Sequence, residues 1–211
     1  VTTATHDHKR GEDLRARLAT LSECAPEWTQ LQSRWIAACE PLCRPVRGRL
    51  APAAGDIAML LQMLVGGWPI DLAPADKAGR ARLAERLAAW QQKALREAKL
   101  ETDWADIDPA YEEAAQHLTH RLVAEAALPD LLQEIAGFAQ RLAPAGAVNA
   151  LAQCLLKLTV PGVPDIYQGC DLWDFSFVDP DNRRPVDFTR LASDETADFG
   201  RLAAAWHDGR I

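Results

Sequence analysis

Thr5-His6-Asp7-His8-Lys9-Arg10 gathers titratable and cationic side chains into one hexapeptide, at the end of the β-branched run Val1–Thr5. On an extended chain alternate side chains share a face, so His6 and His8 with Asp7 offer ligands to a cation. A metal site needs three or four such ligands. No second His/Asp group of matching spacing accompanies these, since His117 and His120 fall in an amphipathic helix and His207 in the last one, so no metal is expected. The hexapeptide also reads as a polar strand-to-helix junction with Asp7 as N-cap. A third reading is the C-terminal end of a barrel strand, where barrel enzymes carry their catalytic groups.

The second polar run is Pro161-Gly162-Val163-Pro164-Asp165-Ile166-Tyr167-Gln168-Gly169, followed by Asp171-Leu172-Trp173-Asp174 and Asp179-Pro180-Asp181-Asn182-Arg183-Arg184-Pro185. Aromatic rings beside carboxylates, amides and guanidinium groups suit a carbohydrate: the rings stack on the C–H faces of sugars and the polar groups pair with hydroxyls. The same composition equally suits a turn in which Asp179 and Asp181 neutralise Arg183 and Arg184. Neither run is a glycine-rich phosphate cradle. The basic stretch Lys77, Arg80, Arg82, Arg86, Lys93, Arg96 and Lys99, interleaved with Glu85, Glu97 and Glu101, reads as a solvated helix face.

The elements that must position these groups are mostly helices. Apolar residues recur at three and four in Trp28, Leu31, Trp35 and Cys39, then in Ile57, Leu60, Leu61, Leu64 and Val65, and again in Leu83, Leu87, Trp90 and Ala94. Asp108-Pro109 opens a helix with the stripe Tyr111, Ala115, Leu118 and Leu122, and Leu131 to Leu142 continues after Pro129. Val1–Thr5 and Val163–Tyr167 are short strand candidates, with a helix from Val148 to Leu158 and a last helix bearing Phe199, Leu202 and Trp206. The expected organisation is therefore 1–11 as strand and polar loop, 12–142 as an all-helical insertion, and 143–211 as helix, strand, long loop and helix.

The 211 residues carry 23 basic and 30 acidic side chains, a net charge of −7. That balance argues against a nucleic-acid partner, which needs clustered Lys and Arg. No apolar run reaches membrane-spanning length and no signal segment opens the chain, so no membrane partner is expected. An odd count of five cysteines fits reduced thiols and a cytoplasmic setting, with Cys39 and Cys43 as core or surface thiols. Val1 in place of Met suggests a piece of a longer polypeptide.

The segments THDHKRGEDLRARLATLSE, LVGGWP, ALREAKLETDW and LAQCLLKLTVPGVPDIYQGCDLWDFSFVDPDNRRPVDF resemble the malto-oligosyltrehalose synthase family of the α-amylase superfamily, over nearly the whole chain. The resemblance implies an α/β fold: the last two strands and helices of a (β/α)8 TIM barrel, carrying a large helical insertion. It implies isomerisation of the reducing-end α-1,4 linkage of a maltooligosaccharide into an α,α-1,1 linkage, without cofactor. The implied chemistry is double displacement at the anomeric carbon.

Within that resemblance Asp7 matches the third carboxylate, which stabilises the glycosyl cation, and His6 contacts a hydroxyl of the same sugar. Lys9, Arg10, Tyr167, Trp173, Asp181 and Arg183 are further candidates for sugar contact. The nucleophile and the acid/base belong to earlier strands, in an N-terminal barrel half missing from this chain, as is the C-terminal β-domain, so the isolated chain is expected to be inactive. Two departures stand out: Cys170-Asp171 follows Gly169 where the family pattern has Glu, and His8 stands where a small or hydroxyl residue is commoner. The alternatives are an amylase-like α-glucan hydrolase fragment and a non-catalytic helical interaction module.

Overall fold

The computed structural model describes residues 1–191 and Gly200. The expected last helix, with Phe199, Leu202, Trp206 and His207, lies outside the described residues. These residues form two compact units, one of 1–23, 66–70 and the described chain from 139 to 191, the other of 24–65 and 71–138. The chain is mostly helical, with one short hairpin, and no described helix is long and apolar enough to cross a membrane.

In the second unit, α2 (Ala25–Cys39), α3 (Ala54–Gly67, up to Val65), α4 (Lys77–Ala98), α5 (Pro109–Thr119) and the start of α6 (Pro129–Thr159) bury the stripes their spacing predicts. Leu60, Leu61, Leu64, Leu83, Leu87, Leu118 and Leu122 are fully buried. Asp76 caps α4 by accepting from the Gly79 N–H at 3.0 Å, and Asp108 caps α5 by accepting from the Tyr111 N–H at 3.2 Å, ahead of Pro109. Lys99, at φ 56°, closes α4 in a left-handed turn. Trp28 stacks on Phe138 at 5.9 Å, and Trp35 meets both rings edge-on while its indole donates to Glu134 at 2.9 Å.

The expectation of an all-helical stretch from 12 to 142 is corrected by β1 (Arg44–Val46) and β2 (Arg49–Ala51), an antiparallel pair joined by Arg47-Gly48. Both turn residues have positive φ, 50° and 77°, the backbone a two-residue hairpin turn demands. The Pro/Gly/Arg-rich break thus carries a hairpin, which packs through Ala51 and Val46 against Leu95, Tyr111 and Ala115. The basic stretch also departs from a uniformly solvated face. Arg80 is buried and donates to the carbonyls of Pro74 and Ala124. Arg96 holds Glu112 in a bidentate pair at 2.8 and 2.7 Å.

In the first unit, α1 (Glu12–Ala19) packs on the later part of α6, where a Cβ on Gly146 would meet the Arg17 Cα at 2.9 Å. The two helices expected on either side of Pro144 are one: α6 runs through the proline, which removes a single N–H donor. Residues 12–23 belong with this unit by their packing. The expected strand Val1–Thr5 reduces to one parallel bridge, Thr2 to Asp165, flanked by Val1 N–H to Val163 C=O at 2.7 Å and Asp165 N–H to Val1 C=O at 2.8 Å. A lone pair of extended segments, paired on one edge only, supports no longer ladder. Buried Lys157 of α6 ties this end down, donating to the Thr3 hydroxyl at 3.0 Å and lying 3.7 Å from Glu12.

Candidate functional site

The two polar runs singled out in the sequence meet in the first unit. After the bridge, the chain turns at Thr5–His8 and runs extended through Arg10, which pairs antiparallel with Phe177. The Gly11 N–H donates to the Ser176 carbonyl at 2.7 Å and the Asp13 N–H to the Asp174 carbonyl at 3.3 Å. Gly11, not Asp7, stands at the N-cap of α1, and it makes no side-chain cap bond, so the N-cap reading of Asp7 does not hold. Arg10 bridges to Phe177 between Asp7 and α1, so the helix starts beyond Gly11, four residues after Asp7. Gly11 is required there: a Cβ would lie 2.5 Å from the Asp174 carbonyl oxygen.

The loop after Gly162 lines an open cavity of about 290 Å³, among whose walls are Tyr167, Trp173, Asp174, Asp181, Asn182 and Asp187. Three of the sugar-contact candidates, Tyr167, Trp173 and Asp181, line it. The Trp173 Nε1 is buried without a hydrogen-bond partner among the described residues. Asp181 accepts from the Phe177 N–H at 2.8 Å and lies 3.3 Å from the Arg184 guanidinium. Arg183 lies 3.6 Å from Asp179 and donates to the His6 carbonyl at 3.3 Å, outside the lining. Both ion pairs of the internally neutralised turn are therefore formed, at the edge of a cavity lined by aromatic rings and carboxylates.

None of His6, Asp7, Lys9 and Arg10 lines this cavity. His6 and Asp7 are exposed, with Lys9 Nζ 3.9 Å from the Asp7 carboxylate. Arg10 is half-buried, and burial lowers its guanidinium from the usual range. His8 instead turns inward, its ring edge-on to Tyr167 with 6.0 Å between centroids. Its Nδ1 accepts from the Thr5 N–H at 3.3 Å, so the proton sits on Nε2, which donates to the Ser176 hydroxyl at 3.1 Å with Asp174 at 3.9 Å. His6 and His8 thus face apart. Among the described residues no three His, Cys, Asp or Glu side chains group as a metal site requires.

Burial dominates the titration of the groups beneath the loop. It lowers His8 against the opposing charge of Asp174. It pushes Asp13 up to about 7, opposed by the hydrogen bond Asp13 accepts from the Asp174 N–H. It raises the Cys170 thiol, which donates to Asp174 at 3.6 Å and is raised further by that charge. Arg17, lowered by burial to about 10, donates to the carbonyls of Gly66 and Trp68 at 3.1 and 2.7 Å and lies 4.2 Å over the Phe175 ring.

Sequence reasoning passed over Asp13, Arg17, Ser176 and Asn182 as functional candidates. Asn182 stood inside the second run, between Asp181 and Arg183, where a lone amide among charges was the available signal. Asp13 and Arg17 are charged residues four apart on an otherwise ordinary helix and carry no such signal. As a whole the arrangement can hold a neutral polyhydroxylated ring against Tyr167 and Trp173, with the Asp7 turn beside it.

Comparison with known proteins bears on this geometry. The chain is 40% identical over 187 residues, 89% of its length, to a Mycobacterium tuberculosis protein named as a maltooligosyl trehalose synthase. It spans only 22% of that relative. Among solved structures, maltooligosyltrehalose synthase from Arthrobacter ramosus is 36% identical over 99% of this chain, with a TM-score of 0.71 and 24% of that protein covered. The structure named as a maltooligosyl trehalose synthase of Sulfolobus tokodaii matches 98% of this chain at 30% identity and TM-score 0.75, covering 27% of its own length. No family model matches the chain. Sequence and structure together relate this chain to a segment, about a quarter in length, of the maltooligosyl trehalose synthases.

Proposed function

We propose that the chain supplies one wall of a maltooligosaccharide site in a trehalose-forming synthase of the α-amylase type, with its two extended segments as adjacent strands of a (β/α)8 barrel. The observation that carries the reading is the clamping of the Asp7 turn onto the cavity-lining loop, through Asn182 and Arg183 to the His6 carbonyl and through His8 to Ser176. The parallel bridge from Thr2 to Asp165 supports adjacent strands, as a barrel requires.

In this reading a maltodextrin end enters the cavity between Tyr167 and Trp173. A nucleophilic carboxylate and a general acid, both contributed by other parts of the longer polypeptide, break the reducing-end α-1,4 bond and form a glycosyl-enzyme. Asp7 faces the sugar whose anomeric carbon gains positive charge, and stabilises that charge. The released glucose stays enclosed, turns, and attacks with its own anomeric hydroxyl, giving the α,α-1,1 linkage before water intervenes. One carboxylate cannot perform double displacement, so the chain alone has no activity.

The test uses a chimaera in which this chain replaces the aligned segment of the Mycobacterium tuberculosis relative. Incubated with maltohexaose, the chimaera should remove reducing ends without releasing glucose, and Asp7→Asn should lower kcat at least a hundredfold. Unchanged kcat in Asp7→Asn would overturn the reading. Net release of reducing sugar would favour an α-glucan hydrolase.

A further inference from the structure

Three hydrogen bonds converge on the two carbonyls that precede Asp7. Asn182 Nδ2 donates to the Thr5 oxygen at 3.3 Å and to the His6 oxygen at 3.1 Å, and Arg183 Nε donates to the same His6 oxygen at 3.3 Å. Asn182 is buried, 7% exposed, and stands in the 3-10 turn Asp181–Arg183, which Asp181 anchors through the Phe177 N–H. Two carbonyl acceptors settle which way the amide faces, since only its nitrogen can donate. Its Oδ1 is then buried without a partner among the described residues.

On the other side of the turn His8 Nδ1 accepts from the Thr5 N–H, while the Asp7 N–H donates to the Thr5 hydroxyl at 3.3 Å. The backbone from Thr5 to His8 is thus gripped by side chains from both sides. The Asp7 carboxylate itself projects outward, so the grip on the backbone sets where it stands.

The geometry points to Asn182, which itself lines the cavity, as the positioning residue for Asp7, holding the Thr5–His6 backbone from which the carboxylate extends. This rests on the role proposed for Asp7. Asn182→Asp sets a carboxylate against two carbonyl oxygens, while Asn182→Ala only removes the donor. Arg183→Ala removes the third bond and leaves the amide in place.

Solvent-exchange rates of the backbone amides, read by NMR on this chain, provide the first arm. Asn182→Asp should accelerate exchange at Asp7 and His8 at least tenfold and leave the amides of α1 within twofold, with Asn182→Ala intermediate and Arg183→Ala smaller. Unchanged rates at Asp7 and His8, or equal acceleration throughout α1, would overturn the proposal. If Asn182→Asp does not fold, Asn182→Ala and Arg183→Ala carry the same comparison. In the chimaera, Asn182→Ala should lower kcat ten- to a hundredfold with KM within threefold, and an unchanged kcat would overturn it. Asp7→Asn measured beside it separates the two ideas: if Asp7→Asn also leaves kcat unchanged, it is the catalytic role of Asp7 that has failed, and the exchange rates alone decide whether Asn182 holds the turn.

Discussion

His8 and Ser176, 168 positions apart in the chain, meet at 3.1 Å with the imidazole proton on the nitrogen that faces the hydroxyl. Because His8 is buried, its neutral form is favoured in the folded state and its pKa lies below the ordinary 6.5 of an imidazole. A depressed His contributes stability that is present above its unfolded pKa and is lost as pH falls from about 6.5 through the folded pKa. An NMR titration should therefore show the His8 ring resonances moving below pH 6.5. His8→Asn should remove that share of the acid destabilisation.

Asp13 titrates with the opposite consequence. Its carboxyl is raised from 3.8 to about 7 by burial, so the folded state binds the proton more tightly than the unfolded chain does. That contribution is complete below about pH 3.8 and is lost as pH rises through 7, by at most about 4 kcal/mol. Asn in its place keeps an oxygen for the Asp174 N–H and has no proton to lose. The difference in unfolding free energy between Asp13→Asn and the parent should grow in favour of the variant from pH 4 to pH 8, as measured by urea denaturation. A constant difference would show that Asp13 does not titrate in this window.

Gly11 sits where no side chain fits. A Cβ there would meet the Asp174 carbonyl oxygen at 2.5 Å and the Ser176 nitrogen at 2.9 Å, both backbone atoms that cannot rotate away. Gly11→Ala should cost about 1–3 kcal/mol, since the N-cap position it occupies gives Ala no helix-propensity gain to offset the clash. Gly55→Ala, with nothing within 4 Å of the added atom, should cost much less. Thermal melts of the two variants check the contrast.

In the other unit, the Tyr111 hydroxyl donates to the Asp56 carboxylate and accepts from the Ala53 N–H at 2.8 Å. Tyr111→Phe keeps the ring among Ala51, Leu95 and Ala115 but leaves a buried carboxylate and a backbone donor without the hydroxyl between them. Chemical denaturation should show a loss of about 1–3 kcal/mol. Removing both partners with Asp56→Ala and Tyr111→Phe together should cost less than the sum of the two single changes.

The stripes on α3, α4 and α5 were legible because an apolar face repeating at three and four needs only local geometry to be recognised. The caps Asp76 and Asp108 are equally local, though only Asp108, ahead of Pro109, was picked out. The hairpin at Arg44–Ala51 was not legible: its strands have three residues each, too few for an alternating pattern, and its turn depends on a positive φ at Arg47. The Arg80 and Arg96 side chains looked like part of a solvated face because their acceptors, Ala124 and Glu112, lie on segments distant in the chain.

Residue types and their order, by themselves, determined that this chain is largely helical and marked two polar runs as the candidates for its chemistry, because propensity, capping and composition act over a few residues. Only the tertiary structure decided which members of those runs meet. It turned His8 inward and left His6 outward, paired Asp179 and Asp181 with the neighbouring arginines, and set Asn182 against the carbonyls before Asp7. The choices at His8 and Asn182 depend on burial and on hydrogen-bond partners more than a hundred residues away, which no local pattern encodes, whereas the two ion pairs join residues three and four apart and were one of the two readings the run already offered.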